Sequence, residues 1–164
     1  MKTLIIIRHA KSSWANIGEK DFDRPLNERG KKDAPEMAEK LLASKIKIEA
    51  FVSSPAKRAR KTCKSFMEVY NKERKDMVLI EELYNAPVSV FYDVTKNLKN
   101  DFNSVALFSH NPGISAFVNT LCKSVDIDEM PTCAAFGVEA STDDWSNFEI
   151  AEKRFLFFKY PKQN

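Results

Sequence analysis

The chain has 164 residues, 43% hydrophobic and 30% charged, the proportions of a globular protein able to bury one substantial core. Its net charge is only +3, with Lys and Arg mixed among Asp and Glu, which argues against nucleic acid or a membrane surface as partner. Cys63, Cys122 and Cys133 form no C-x-x-C pair, so neither a disulfide framework nor a zinc knuckle is expected, and reduced thiols point to the cytoplasm.

The first apolar run, Leu4 to Ile7, is too short for a signal peptide. No stretch reaches the roughly 20 apolar residues needed to span a bilayer. Thr3 to Ile7 instead reads as a buried strand, short and rich in β-branched residues. A polar loop follows over residues 10 to 26. Asn27 can cap a helix running to about Ser44, with Met37, Ala38, Leu41 and Leu42 on one face. Pro35 lies inside that span, so the helix either kinks there or starts near Asp33. Glu49 to Ser53 is the second strand. Ser54 and Pro55 suit the N-cap and first position of the next helix, which carries Ala59, Cys63, Phe66, Met67 and Tyr70 at helical spacing.

Met77 to Glu81 reads as a third strand. A helix over residues 87 to 98 turns Phe91, Val94 and Leu98 inward. Ser104 to Ser109 is the fourth strand, and Ile114 to Cys122 a further helix. Ala134 to Ala140 and Phe148 to Phe158 read as an antiparallel strand pair joined across "STDDWSN". Strands alternating with helices predict an α/β fold: a mainly parallel central sheet, helices on both faces, and an antiparallel pair at the C-terminal end. No linker or repeat interrupts residues 1–164, so one domain is expected.

Ligands of open α/β sheets bind at the carboxyl ends of the strands. The first strand delivers Arg8 and His9 to that rim, the second Ser53, Ser54 and "PAKRARK", the fourth Ser109 and His110. Both histidines of the chain therefore end buried strands on one rim. A single histidine there is as easily a packing residue; two beside arginine make a site. Cations in a first helical turn oppose the helix dipole by about 0.3–1 kcal/mol, and a bound anion reverses that sign. Lys57 and Lys61 read as a solvated basic face. Arginine forks pair with phosphate oxygens, and neutral imidazole is a nucleophile at neutral pH. The set is therefore suited to phosphoryl transfer. Two histidines without nearby clustered carboxylates lack metal-ligand spacing, so no metal and no other cofactor is expected.

Four ordered segments, "RHAKSSW", "DRPLNERG", "SSPAKRARKT" and "SHNPG", resemble the motifs of the histidine phosphatase (phosphoglycerate-mutase-like) superfamily, most closely its small SixA-like phosphohistidine phosphatases. The resemblance implies that His9 is the nucleophile, that Arg8 and Arg58 clamp the phosphoryl oxygens, and that His110 donates a hydrogen bond to them. It selects Arg58 over Arg60. The glycine usual after the nucleophile is Ala10, and Ala15 stands where Asn is usual in mutase-like members, with Asn16 one residue late. One phosphate donor is then either missing or supplied by Ser12 or Ser13. The Glu-bearing insertion of mutases is absent. Glu82 is the first candidate for a general acid and Asp23 the second, Asp23 serving otherwise to brace Arg24.

The expected activity is hydrolysis of phosphohistidine, or another phosphorylated side chain, on a protein such as a histidine-containing phosphotransfer domain. Inorganic phosphate is the product, and no cap subdomain covers the site. A phosphatase of small phosphate esters and a non-catalytic phosphate-binding module are the alternatives.

Overall fold

The computed structural model describes residues 1–161. Six strands form one sheet: β1 (Lys2–Arg8), β2 (Ala50–Ser53), β3 (Met77–Leu79), β4 (Ser104–Ser109), β5 (Ala135–Ala140) and β6 (Lys153–Lys159), in the order β3-β2-β4-β1-β5-β6. The four strands β1 to β4 run parallel, while β5 is antiparallel to β1 and β6 to β5. This is the predicted α/β architecture.

Alternation along the strands divides the core between the two faces of the sheet. Ile5 and Ile7 of β1 join Phe51, Ala106 and Phe108 under α1 (Glu28–Ala43) and α2 (Lys57–Val69). Leu4 and Ile6 join Val52, Val105 and Leu107 under α3 (Val88–Lys96) and α4 (Gly113–Leu121). Aromatic pairs fasten both layers. Phe66 of α2 meets Phe108 edge-on at 5.2 Å, and Phe91 of α3 stacks on Phe117 of α4 at 4.9 Å.

Asn27 caps α1 as expected, its side chain accepting from the Gly30 N–H at 2.8 Å. The helix neither waits for Asp33 nor stops at Pro35. Burial of Ala34, Met37, Ala38 and Leu41 outweighs the hydrogen bond that proline removes. Gly30 is required by packing, because a Cβ there would land on the Lys11 carbonyl. Gly113 is held in the same way against the Ala86 carbonyl.

Three boundaries differ from expectation. The helix after β2 begins at Lys57, two residues beyond the anticipated Ser54–Pro55 start, with Ala56 at its cap position and no side-chain cap. The Ser54 hydroxyl still accepts from the Ala56 N–H at 3.3 Å, just ahead of the helix proper. Strand β3 ends at Leu79, since Glu81–Leu83 turns into a 3-10 helix. Phe148 does not belong to the last strand. It follows a 3-10 turn at Trp145–Asn147, and both Trp145 and Phe148 are fully buried. The Trp145 indole donates to the Phe102 carbonyl at 2.8 Å. Side chains of that size close one end of the core instead of continuing a strand. Among the described residues no helix is long and apolar enough to cross a membrane.

Candidate active site

The two histidines are neighbours because their strands are. Pairing of β1 with β4 sets Arg8 opposite Ser109, so the next residue of each strand emerges at the same level. The His9 N–H donates to the Ser109 carbonyl at 3.2 Å, and the two imidazole centroids lie 5.1 Å apart. Strand β2, on the other side of β4, delivers Ser54, whose N–H donates to the Phe108 carbonyl. The Ser54 hydroxyl lies 2.7 Å from His110 Nε2. That contact orients the ring, while the same hydroxyl accepts from the Ala56 N–H at 3.3 Å just ahead of α2. His110 Nδ1 is buried without a partner.

His9 shows which of its nitrogens is free. Nδ1 lies 2.7 Å from its neighbour's carbonyl, Ala10 O, an acceptor only, so Nδ1 carries the proton. Nε2 is then the lone-pair nitrogen. Arg58 Nε–H approaches it at 3.4 Å from α2. Thr62, one turn further along α2, accepts from the Ala10 N–H at 2.9 Å and donates to the Arg58 carbonyl at 2.8 Å. One hydroxyl thus ties the loop after His9 to the helix that carries Arg58. Ala10 is fully buried and is not among the residues in the left-handed region. Glycine is therefore not needed at this position.

Three arginines converge here. Arg8 Nη1 donates to the Met130 carbonyl at 2.8 Å, and its Nε is buried and unpartnered. Arg58 donates twice to Asp21, from Nη1 to the main-chain carbonyl at 2.7 Å and from Nη2 to Oδ2 at 3.0 Å. Arg24, also buried, pairs by charge with Asp21, its Nε 3.2 Å from Oδ1, and stacks its guanidinium 3.4 Å from the Trp14 ring, leaving Nε and Nη1 without a hydrogen-bond partner. Tyr84 donates to Asp21 Oδ2 at 2.6 Å and sets its ring edge-on to His110 at 5.5 Å. Asp21 is thus the hub that aligns two arginines and a tyrosine. Burial pushes its carboxyl up. The Tyr84 hydrogen bond and the Arg58 and Arg24 charges outweigh this and hold it below the ordinary carboxylate range.

The same charges act on the imidazoles. Burial, reinforced by Arg58, Arg8 and Arg24, depresses His9 to about 3. Burial, then His9 and Arg58, depresses His110 to about 3. Both rings are thereby held neutral at physiological pH, the form in which an imidazole keeps a free lone pair. The depression also ties stability to pH. The unfolded chain takes up these protons below about 6.5 and the folded chain does not, so stability is complete above about 6.5 and is lost as pH falls towards 3. Chemical unfolding at about pH 7.5 and about pH 5 should differ by about 2 kcal/mol for each histidine, the protein being weaker in acid. His9→Gln should remove its share of that slope; an unchanged slope would show that His9 is not buried neutral.

Residues 4–86, half of the chain, match the profile of the histidine phosphatase superfamily, branch 1. The chain belongs to the histidine phosphatase superfamily. An uncharacterized chloroplastic protein of Arabidopsis thaliana is 29% identical over 159 residues, covering 88% of this chain and 69% of its own. A crystal structure assigned to phosphohistidine phosphatase SixA of Agrobacterium tumefaciens superposes with a TM-score of 0.81 at 26% identity over 98% of both chains. A protein histidine phosphatase SixA complexed with tungstate matches with a TM-score of 0.81 at 25% identity over 97% of both. The chain is SixA-like, with a phosphoglycerate-mutase-like fold, and these likenesses support phosphatase activity.

Of the residues singled out from sequence, His9, Arg58 and His110 meet within contact distance, and Arg8 enters the same rim. Glu82 does not join them. It is exposed on the Glu81–Leu83 turn and faces a groove under α3. From that segment it is Tyr84 that turns to the site. Asp23 is exposed and makes no ion pair with Arg24; Asp21, two residues earlier, braces it. Ser13 is occupied by a local turn, its hydroxyl accepting from Ala15 N–H, while Ser12 pairs with Leu26. Asn16 is exposed and donates to Glu19. None of these three contacts a site residue. Arg24 is the donor that sequence reasoning overlooked. "DRPL" carries it in plain view, but loop residues have no periodicity to reveal their direction. Asp21 and Tyr84 were hidden for the same reason.

Proposed function

We propose that the protein is a cofactor-independent phosphatase of phosphohistidine on other proteins, working through a covalent phosphohistidine at His9. The observation that carries this reading is the condition of Asp21. It is the carboxylate bound into the arginine cluster, and two arginines and a tyrosine hold it ionised. An alkoxide leaving group needs a proton from an acid. An imidazole leaving group departs neutral when its other ring nitrogen is already protonated, and otherwise takes a proton from water. A site rich in arginine and poor in available acid suits the P–N bond.

In this mechanism Arg8, Arg58 and Arg24 hold the phosphoryl oxygens, and His110 hydrogen-bonds to them. His9 Nε2 attacks phosphorus as the substrate's P–N bond breaks, giving phosphorylated His9 and free substrate histidine. Water then attacks phosphorus, Nε2 departs with its electron pair, and inorganic phosphate is released. Tungstate in the SixA complex is an oxyanion of phosphate-like shape, which supports an oxyanion pocket in this chain. Access fits a projecting side chain. Between β3 and β4 stand only the Glu81–Leu83 turn and the short α3. Trp14, beside Arg24, is 78% exposed, an apolar contact point for a protein surface.

A substrate panel tests the reading. A phosphohistidine protein, such as a histidine-containing phosphotransfer domain, should exceed sugar phosphates and phosphoserine peptides in kcat/KM by at least about tenfold, or about 1.4 kcal/mol in transition-state binding. A small ester as the better substrate would overturn the reading and install an ester phosphatase in its place.

A further inference from the structure

The edge of the sheet at β3 carries features that the catalytic site does not use. Parallel pairing with β2 engages alternate residues: the Ile80 N–H donates to the Ser53 carbonyl at 3.0 Å. By the same alternation Leu79 presents both its N–H and its C=O outward, and Met77 its C=O. Nothing among the described residues bonds these groups. The flanking side chains are open as well, Val78 being 50% and Leu79 48% exposed.

The two faces beside this edge differ in character. On the α3 side, Val78 borders a groove of about 830 Å³ floored by Val52, Ile80, Val94 and Phe102. On the α2 side, Leu79 borders a cleft walled by Arg60, Lys61, Lys64 and Arg74. Lys61 and Arg74 have no acidic partner among the described residues, and Lys64 has only Glu68 at 3.8 Å. Slight desolvation, then the charges of Lys64 and Arg74, lower the Lys61 ammonium below its ordinary value. Unbalanced cations on one side and apolar surface on the other form a two-sided recognition pattern.

We propose that β3 receives an extended segment of a partner protein in which acidic and apolar side chains alternate, joining the sheet as a further strand. Successive side chains of a strand point to opposite faces. Acidic ones then enter the cleft of Arg60, Lys61, Lys64 and Arg74, and apolar ones the groove beside Val78. The outward groups of Met77 and Leu79 supply three backbone hydrogen bonds, and the side-chain pattern supplies specificity. A second copy of this chain is a poor occupant, because pairing β3 with itself would bring two basic clefts together. The inference does not depend on the substrate proposed above.

The test uses the whole protein and short fluorescent peptides read by anisotropy. A peptide alternating Glu with Val and Leu should bind, and salt should weaken it. A peptide of the same composition with acidic and apolar residues in separate blocks, and one with Lys for Glu, should bind at least about tenfold more weakly. Leu79→Pro removes the outward N–H while sparing the bonds to β2. It should weaken the alternating peptide by at least about tenfold. Lys61→Glu with Lys64→Glu, both at the surface, should do the same, with circular dichroism confirming the fold of each variant. Equal binding of alternating and block peptides, or no binding of either, would overturn the proposal, and this comparison holds whether or not the proline variant folds. Full binding by a folded Leu79→Pro protein would reduce the edge to a general electrostatic surface. Self-association abolished by Leu79→Pro would assign the edge to a second copy instead.

Discussion

If His9 is the nucleophile proposed above, His9→Ala should lower turnover of a phosphorylated substrate by at least about 10³-fold, because its Nε2 would carry the covalent intermediate. The protein should remain folded. The imidazole hydrogen-bonds only to the adjacent Ala10 carbonyl and to Arg58, and the main-chain bonds of residue 9, to Ser109 and from Cys133, do not involve the side chain. Brief reaction of the wild-type protein with labelled substrate should leave acid-labile, base-stable label, and His9→Ala should take up none. A folded variant with wild-type turnover would remove His9 from the mechanism. Uptake of phosphate by the wild type without any labelling would point to the non-catalytic binding module.

Arg58→Ala should reduce the rate by about 10²–10³-fold, the usual loss when one charged donor leaves a preorganised site. Arg60→Ala should stay near wild type. The two residues lie two apart on α2 and so point in different directions. Arg58 is buried against His9 and Asp21, whereas Arg60 turns back to the Pro55 carbonyl at 2.6 Å. Arg58→Lys should recover only part of the loss, since an ammonium cannot reproduce the planar fork that reaches the Asp21 carbonyl, Asp21 Oδ2 and His9. The measurement is kcat/KM together with vanadate affinity for all three variants. Equal losses at positions 58 and 60 would mean that the basic run acts as a diffuse charge and not through one oriented guanidinium.

Local sequence was enough to place most of the fold. Strands such as Leu4–Ile7 and Ser104–Ser109 are continuous apolar runs because helices cover both faces of the sheet, so their boundaries are written in composition. Asn27 marks the start of α1 because capping is a contact across three residues. The histidines and Arg58 were legible because strand ends and helix starts are places where the direction of a side chain follows from the element.

What sequence could not settle are contacts between distant segments. Ser54 reads only as a helix cap, and it does accept from the Ala56 N–H, but β4 also brings His110, 56 residues away, to the same hydroxyl. Asp21, Arg24 and Tyr84 lie on loops or turns without a repeating pattern. Their meeting depends on where β1, β3 and α2 leave the sheet. For that reason the acid candidates chosen by position, Glu82 and Asp23, point away while their near neighbours Tyr84 and Asp21 point in. By itself the sequence determined most of the elements, the α/β class and the meeting of both histidines at strand ends on one rim. Tertiary structure alone decided which loop side chains complete the arginine cluster, because loop directions are set by the packing of what the loops connect.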